Sequence, residues 1–308
     1  MNYLITGATG LIGRNLVEAI LDKGGKIIAP VMDLPEAECV FQGLDDITVF
    51  EWDLLDKLNY DGDVDYIIHC AAPTSSEFFV NKPVETIDCM VNGTRNVLEF
   101  ARRKQVKSMV YLSSMEVYGA SLTDEPITED KQFYVDPLTI RSSYPMAKRL
   151  AETLCVSYCK EYTVPARIAR LGQVIAESIP PNDNRVIAQF LHSVKENKDI
   201  EIATDGEAKQ TYIGIKDTVS GLLAVLENGD NGEAYNIADT DSFCSIKQLA
   251  EMIRNIANSD IKIVTNCGDA SKYPPNRVNK IDNTKLIGLG WERTNTLEEN
   301  LTKLWKNL

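Results

Sequence analysis

Short apolar runs alternate with segments of helical spacing through about the first 170 residues. The runs cover residues 2 to 6, 26 to 31, 47 to 50, 64 to 70, 107 to 112 and 164 to 171. The longest segments with helical spacing between them cover about 83 to 103 and 144 to 161. Strands that alternate with helices form parallel sheets covered on both faces. The pattern predicts an α/β protein with a Rossmann-type doubly wound sheet, whose ligands lie beyond the carboxyl ends of the strands.

The pattern changes to loops and shorter elements after Arg170. It predicts a break at Pro180-Pro181, a polar turn at Asp205-Gly206, and helices near 184 to 196, 216 to 227 and 245 to 257. We expect a sheet domain of residues 1 to 172 with about 211 to 238. The remainder, about 173 to 210 and 239 to 308, forms a smaller α/β substrate-binding domain. Residues 272 to 277 read equally as a loop over a cleft or as a surface turn.

Composition excludes several classes of protein. A chain of 308 residues with 44% hydrophobic content can bury a full core. Its net charge of -13 argues against a nucleic-acid-binding surface. No basic segment precedes the first apolar run and glycine follows by Gly7, so we expect neither a signal peptide nor a membrane span, and a cytoplasmic protein. The seven cysteines lack framework spacing and only two histidines occur, so we expect free thiols and no metal.

A glycine-rich loop joins the first strand to the first helix. Glycines there let the backbone approach a pyrophosphate at the helix N-terminus, where free N–H groups and the helix dipole favour an anion. A tight turn is the alternative, but the position after the first strand favours dinucleotide binding. The predicted contacts in this loop are Gly7, Thr9, Gly10, Leu11, Ile12 and Gly13.

Five further residues complete the predicted cofactor site. Asp33 follows the second strand, and the lack of an arginine there for a 2'-phosphate favours NAD over NADP. Asp53 is placed to accept a hydrogen bond from an adenine amino group, although a solvent-facing aspartate fits equally well. Leu54 follows it, and Ala71 and Ala72 come at the end of the fourth strand.

Tyr144 and Lys148 are the main catalytic candidates because residues four apart share one face of a helix. An ammonium group favours the phenolate form of a nearby phenol, whose ordinary pKa is ~10, so we expect the pair to act as a general base toward an alcohol. Tyr212 and Lys216 repeat the spacing, but they span a predicted strand. Pro145, by contrast, suits the first turn of a helix.

Two residues after the fifth strand complete the catalytic set. We expect Ser114 to hydrogen-bond the reacting oxygen, although serines at a strand end are also common turn formers. We expect Lys148 to hold the nicotinamide ribose as well. A carboxylate at Glu116 can remove or return a proton at a sugar carbon beside a ketone, and a solvated loop glutamate is the alternative.

Together these motifs resemble the extended short-chain dehydrogenase/reductase family, in its nucleotide-sugar epimerase/dehydratase branch. The resemblance runs nearly end to end through residues 7 to 13, 69 to 72, 92 to 96, 111 to 119, 144 to 148 and 290 to 292. It implies NAD in the N-terminal domain and a nucleoside-diphosphate sugar in the C-terminal one. It also implies a homodimer formed by the helices at 83 to 103 and 144 to 161, which equally well cover the sheet of one subunit.

By this likeness, Tyr144 deprotonates a sugar hydroxyl while its carbon gives a hydride to NAD. The resulting 4-keto sugar is then epimerised, dehydrated or decarboxylated. Glu116 stands where dehydratases and decarboxylases carry a glutamate, whereas Met115 replaces the acid of the 4,6-dehydratases. The resemblance therefore favours an epimerase or a UDP-glucuronate-decarboxylase-like enzyme.

The resemblance also implies substrate contacts beyond Ser114. Gln173 stands where relatives often carry asparagine, and Gln210 replaces the arginine that grips the diphosphate. We expect Arg185, Lys209 and Arg277 to replace that charge, although each is equally an ordinary surface base. Arg185 is favoured because the segment around it resembles the substrate loop of the decarboxylases.

Two other functions stay open at this point. One is an NAD(P)H-dependent reductase of a keto sugar or another carbonyl, which Met32, at a position where a base would help, disfavours. The other is a non-catalytic dinucleotide-binding sensor. A sensor would not need Tyr144, Lys148 and Ser114 together.

Overall fold

The structure is a computed structural model that describes residues 1 to 179, 183, 185 to 268 and 277 to 308. The predicted break at Pro180-Pro181 lies outside the described residues, as does the 272 to 277 loop except for Arg277.

The strands are β1 (Asn2–Thr6), β2 (Lys26–Val31), β3 (Ile47–Glu51), β4 (Tyr66–His69), β5 (Ser108–Ser114), β6 (Ala166–Leu171), β7 (Gln173–Ile175), β8 (Ile200–Ile202), β9 (Lys209–Gln210), β10 (Tyr212–Gly214), β11 (Ala234–Ile237), β12 (Cys244–Ser245) and β13 (Ile263–Thr265). The α-helices are α1 (Leu11–Leu21), α2 (Leu34–Val40), α3 (Ser76–Asn81), α4 (Pro83–Lys104), α5 (Ser143–Tyr162), α6 (Val186–Lys195), α7 (Ile215–Asn228), α8 (Ile246–Ile256), α9 (Thr284–Ile287) and α10 (Leu297–Lys306). Short 3-10 helices cover Met115–Tyr118, Ile140–Ser142 and Thr240–Ser242.

Seven parallel strands form the central sheet, in the order β11-β6-β5-β4-β1-β2-β3. The chain builds outward from β1 to β3, then returns to place β4 on the other side of β1. In doubly wound sheets this reversal opens a crevice at the carboxyl ends of the strands. The predicted fold class is confirmed, and the glycine loop lies at the reversal.

Side chains on the two faces of the sheet enter two separate cores. On one face, Leu16 of α1 and Leu222 of α7 pack with strand residues such as Ile5. On the other, Val97 of α4 and Cys155 of α5 pack with neighbours that include Leu4. Because successive strand residues point to opposite faces, the continuous apolar runs of these strands feed both cores.

The edge strand β11 comes from well beyond the other sheet strands in the chain, and its run of four residues was not predicted. It pairs with β6, with Tyr235 opposite Ala169. Its buried Asn236 donates from Nδ2 to the carbonyl oxygens of Ile127 (3.0 Å) and Asp282 (2.8 Å). The strand therefore also holds one loop from earlier in the chain and one from later in the chain against the sheet.

The remaining strands form three two-stranded sheets, β10-β7, β12-β9 and β13-β8. Helices α6, α8 and α10 close a third core over them, with Phe190, Leu249 and Leu301 buried inside. The division into the two predicted domains stays a prediction. None of the helices in the described part of the chain is both long and apolar enough to cross a membrane. All seven cysteines are free thiols, as predicted.

Candidate active site

The loop between β1 and α1 is shaped by its glycines. Gly7 has a φ of +68°, and a Cβ there would lie 2.8 Å from the backbone nitrogen of Ala71, at the end of β4. A Cβ at Gly13 would overlap the carbonyl oxygen of Gly7. The N-terminus of α1 has no hydrogen bond from a described side chain and no acidic residue in its first turn. Its free N–H groups therefore suit a pyrophosphate, and the loop fits a dinucleotide.

The predicted adenosine contacts are already engaged locally. Asp33 caps α2 by accepting the N–H of Glu36 (2.9 Å), and Asp53 accepts the N–H of Leu55 (2.8 Å). Each carboxylate keeps a second oxygen for a ligand. The Leu54 side chain is buried beside them, and its contact with the cofactor stays a prediction.

Arg14, beside the glycine loop, is an arginine that no sequence motif indicated. Arg14 of α1 lies 3.5 Å from Glu36, which belongs to the helix that Asp33 caps. The ion pair is exposed, and the two residues lie 22 positions apart in the chain, so local spacing gives no signal of it.

Tyr144 lies at the start of α5 against the end of β4. Its ring stacks on Phe79 with 4.2 Å between ring centres. Ala72 packs with it against the cluster of Phe79, Met90 and Ala147. The structure thus brings the predicted catalytic tyrosine and a predicted cofactor-binding strand end together.

The predicted lowering of the Tyr144 pKa by Lys148 is wrong for this structure. Burial raises the pKa of Tyr144 to about 12, and the charge of Glu116 raises it further. A hydrogen bond with Ser114 and the charge of Arg141 act in the opposite direction on this pKa. Tyr144 is therefore a neutral phenol near neutral pH, able to donate a proton before it accepts one.

Lys148 is buried behind the tyrosine. Its Nζ donates to the carbonyl oxygen of Leu112 (2.7 Å) and lies 6.0 Å from the centre of the Tyr144 ring. Burial lowers the pKa of Lys148 to about 8, against the opposing charge of Glu152 one helical turn later. At neutral pH Lys148 is still mostly protonated, but its charge does not contribute to the shift of the Tyr144 pKa.

Glu116 is fixed by an arginine that the sequence analysis did not select. Arg141 Nη2 donates to Glu116 Oε1 at 2.8 Å. The backbone N–H of Glu116 donates to Ser114 Oγ at 3.2 Å, so Ser114 caps the short helix that carries the acid. The only sequence signal for Arg141 was its position three residues before Tyr144.

A buried ion pair supports the strand ends beneath these groups. Arg170 of β6 donates to both carboxylate oxygens of Glu152 on α5 (2.9 and 2.7 Å). Ser113 Oγ donates to the same carboxylate at 2.6 Å. Since Ser113 precedes Ser114, this network fixes the end of β5 relative to α5.

The predicted substrate contacts are only partly brought together. Lys209 and Arg277 are neighbours, since the Lys209 N–H donates to the Arg277 carbonyl oxygen at 2.9 Å. Lys209 also forms an ion pair with Asp124 at 2.6 Å, and Arg277 Nε is buried without a described partner. Arg185 is instead paired with Asp183 at 2.6 Å.

The two predicted glutamine contacts have different surroundings. Gln173 is exposed at the start of β7, where a substrate can reach its amide. Gln210 accepts a hydrogen bond from Asn279 Nδ2 at 3.0 Å, so this pair of amides lies where relatives were expected to carry an arginine. Among the described residues, no group of three or more potential metal ligands occurs.

A glycine loop that fits a dinucleotide, a half-buried tyrosine and serine, and a buried lysine suit the exchange of a hydride between a nicotinamide and an alcohol or ketone. The model of the NAD dependent epimerase/dehydratase family matches residues 3–238. The chain belongs to this family, and it is an NAD-dependent enzyme of the extended short-chain dehydrogenase/reductase type.

Curated relatives agree with this assignment, and solved structures share the fold. UDP-glucuronic acid decarboxylase 6 of Arabidopsis thaliana is 31% identical over 98% of this chain and 87% of its own length. UDP-glucuronic acid decarboxylase 1 of Xenopus tropicalis is 28% identical over 97% and 70%. UDP-glucose 4-epimerase of Thermotoga maritima, solved with UDP-glucose, has a TM-score of 0.85 at 24% identity, with 100% of this chain and 98% of that one covered. For dTDP-glucose 4,6-dehydratase of Bacillus anthracis, solved with NAD, the TM-score is 0.80 at 22% identity, with 100% and 96% covered.

Proposed function

We propose that the protein decarboxylates UDP-glucuronic acid through a transient 4-keto sugar and leaves NAD unchanged at the end of each turnover. The observation that carries this proposal is the Glu116–Arg141 pair beside Tyr144. Epimerisation needs only the tyrosine and the cofactor, so an additional acid has no role in it. Loss of CO2 leaves a sugar carbon that must receive a proton, and Glu116 is a candidate donor. The similarity to UDP-glucuronic acid decarboxylases over nearly the whole chain supports the same choice.

The loop of residues 7 to 13 and Lys148 would hold NAD, which would supply an acceptor for a hydride of the sugar and a donor for its return. The side chains of the protein handle the protons. Tyr144 takes the proton of the C4 hydroxyl and later returns one. Ser114, which hydrogen-bonds the Tyr144 phenol in the ligand-free protein, orients the C4 oxygen. With a ketone at C4, the bond between C5 and the carboxyl carbon breaks, and its electron pair moves onto the ketone oxygen as CO2 leaves. Glu116 takes up a proton from solvent as CO2 leaves and then delivers this proton to C5, which returns Glu116 to its carboxylate form.

Arg141 makes this arrangement of charges feasible. The Glu116 carboxylate raises the pKa of Tyr144, whereas Arg141 lowers it and binds Glu116 directly. The ion pair therefore limits the repulsion between a developing phenolate and the neighbouring carboxylate.

The proposal is tested by incubating the pure protein with NAD and a panel of UDP-, dTDP-, CDP- and GDP-sugars that includes UDP-glucuronic acid. NMR and mass spectrometry identify the products. We expect CO2 and a UDP-pentose from UDP-glucuronic acid alone, with no net accumulation of NADH. An epimer without CO2 indicates an epimerase instead, and consumption of one NADPH per product indicates a reductase. A mixture in which nothing reacts indicates a sensor.

We propose the expected homodimer and the cytoplasmic location on separate grounds. Helices α4 and α5 pack together, and apolar side chains such as Val84 and Leu150 stay exposed on their outer surface (65% and 48%). A second copy that covers this surface would bury them. The seven free cysteines suit a reducing compartment.

A further inference from the structure

Arg141 has a hydrogen-bond donor that the protein itself leaves unused. Its Nη2 donates to Glu116, but its Nη1 is buried and has no partner among the described residues. The guanidinium carbon lies 5.0 Å from the ring centre of Phe79 and 5.6 Å from that of Tyr144. The unused N–H group therefore belongs to a positively charged side chain that lies beside the predicted catalytic tyrosine.

A buried N–H group without a hydrogen-bond acceptor is unfavourable unless a ligand supplies the acceptor. The free-energy penalty for burying an unsatisfied polar group is larger when the group is charged. Arginine cannot relieve this by losing its proton, since a guanidinium stays charged in proteins. Its planar guanidinium presents two nitrogens in the geometry of a carboxylate, and Glu116 takes only one of them.

The position of Arg141 indicates which part of a substrate it meets. Tyr144 acts on the C4 hydroxyl under the proposed function, and the carboxylate of a uronic acid is attached to the next ring carbon, C5. A cation stacked beside Tyr144 and Phe79 therefore lies within reach of that carboxylate. In a hexose, a neutral hydroxymethyl group occupies the same position and offers Arg141 no charge.

We infer that Arg141 binds the sugar carboxylate directly through its free nitrogen and so selects uronic acid substrates over neutral hexoses. This inference rests on the proposed function. Arg141 acts on the substrate as well as on Glu116, and its two nitrogens divide those tasks.

Binding measurements separate these roles without turnover. Isothermal titration calorimetry with UDP-glucuronic acid, UDP-glucose and UDP is carried out on the NAD-loaded wild type and on Arg141→Gln, Arg141→Lys and Glu116→Gln. Tyr144→Phe is added as the background mutation in every protein to prevent reaction. Arg102→Gln removes an exposed arginine on α4 and controls for the change in net charge.

We expect Arg141→Gln to weaken UDP-glucuronic acid binding by about 10- to 100-fold, as for a hydrogen-bonded charge, and to change UDP-glucose and UDP binding less than twofold. Arg141→Lys should recover part of the loss, and Arg102→Gln should show none. Glu116→Gln should preserve or improve UDP-glucuronic acid binding, because a competing carboxylate is neutralised.

Three results would overturn the inference. Equal weakening of all three ligands, or of none, would show that Arg141 does not recognise the carboxylate. A loss in Glu116→Gln that matches the loss in Arg141→Gln would show that Arg141 acts only by holding Glu116. If the background protein with Arg141 intact binds none of the UDP ligands, the proposed function fails, and the inference fails with it. Thermal unfolding of each variant checks that it is folded.

Discussion

At Tyr144, burial and hydrogen bonding act on the same proton in opposite directions. Burial and Glu116 favour the neutral phenol, whereas Ser114 and Arg141 favour the phenolate. The net effect is a pKa raised to about 12 in the ligand-free protein. The residue is therefore held as a proton donor, and its action as a base depends on charges that ligands bring into the site.

Replacing Tyr144 by phenylalanine tests its role in proton transfer. We expect turnover to fall by about 10²- to 10⁴-fold, the usual contribution of a general acid or base, while NAD binding stays within a fewfold. Product formation followed by NMR provides the measurement. Tyr212→Phe is the matched control, because Tyr212 and Lys216 repeat the spacing in a different part of the fold. Full turnover by Tyr144→Phe would show that Tyr144 is not the residue that transfers the proton.

Lys148 predicts a pH dependence of stability. Its pKa is lowered from 10.5 to about 8 by burial, so between these values the unfolded chain binds more protons at this residue than the folded chain. The free energy of unfolding therefore gains a contribution that rises with pH across this window, and the full penalty of the buried charge remains below about pH 8.

We expect Lys148→Met to be more stable than the wild type near pH 7, with an advantage that shrinks between about pH 8 and 10. Urea denaturation at a series of pH values measures the difference between the two proteins. A difference that stays constant over that range would show that Lys148 keeps an ordinary pKa in the folded state.

At the scale of elements, β5, β6 and α5 are held in register by a buried polar network. Glu152 accepts from Arg170 and Ser113, and Arg170 also donates to the hydroxyl of Tyr118 at 3.1 Å. The network lies under the site and contacts three elements that carry it. Its strength therefore sets how firmly Ser114 is positioned.

Glu152→Gln removes one charge of this network and retains its size. We expect a loss of about 3–5 kcal/mol in the free energy of unfolding, because Arg170 is left buried and uncompensated. Glu233→Gln breaks an ion pair with Lys285 in which the acid is 56% exposed, and it should cost less than about 1 kcal/mol. Denaturant unfolding of both variants makes the comparison, and equal losses would contradict the structural role given to Glu152.

Sequence patterns within short stretches of the chain predicted most strands of the central sheet and its long helix. Apolar runs located β1 to β6, and the helix expected at 83 to 103 is Pro83–Lys104. The spacing of the glycines and of Tyr144 and Lys148 is likewise local. β11 was missed because its four residues, one of them the buried Asn236, are too few to show a period. The strand also depends on pairing with β6, which is far away in the chain.

The charge relations within the site could not be predicted in this way. Glu116 and Arg141 are 25 residues apart, and Lys209 and Asp124 are 85 apart, so each pair depends on the folded chain. The direction of the Tyr144 pKa was wrong for the same reason. Sequence spacing gave the distance along the helix, but not the degree of burial.

For the whole molecule, the outer surface of α4 and α5 predicts the association state. We expect Leu150→Glu to convert the proposed dimer to a monomer, because a charge would be buried at the interface. Leu138→Glu is the control, since this leucine is 93% exposed in a loop outside both helices. Sedimentation velocity measures the masses. A wild-type protein that sediments as a monomer, or a dimer that survives Leu150→Glu, would contradict the proposed interface.

The late arrival of β11 affects how the protein emerges from the ribosome. β6 ends at Leu171, but the strand that covers its edge begins only at Ala234, and α7 comes between them. At about 5–20 residues per second, the nascent chain presents an open strand edge and a bare apolar face for about 3–13 seconds. Chaperone contact during synthesis is therefore most useful over this interval, and a chain terminated within it would be prone to aggregate through β6.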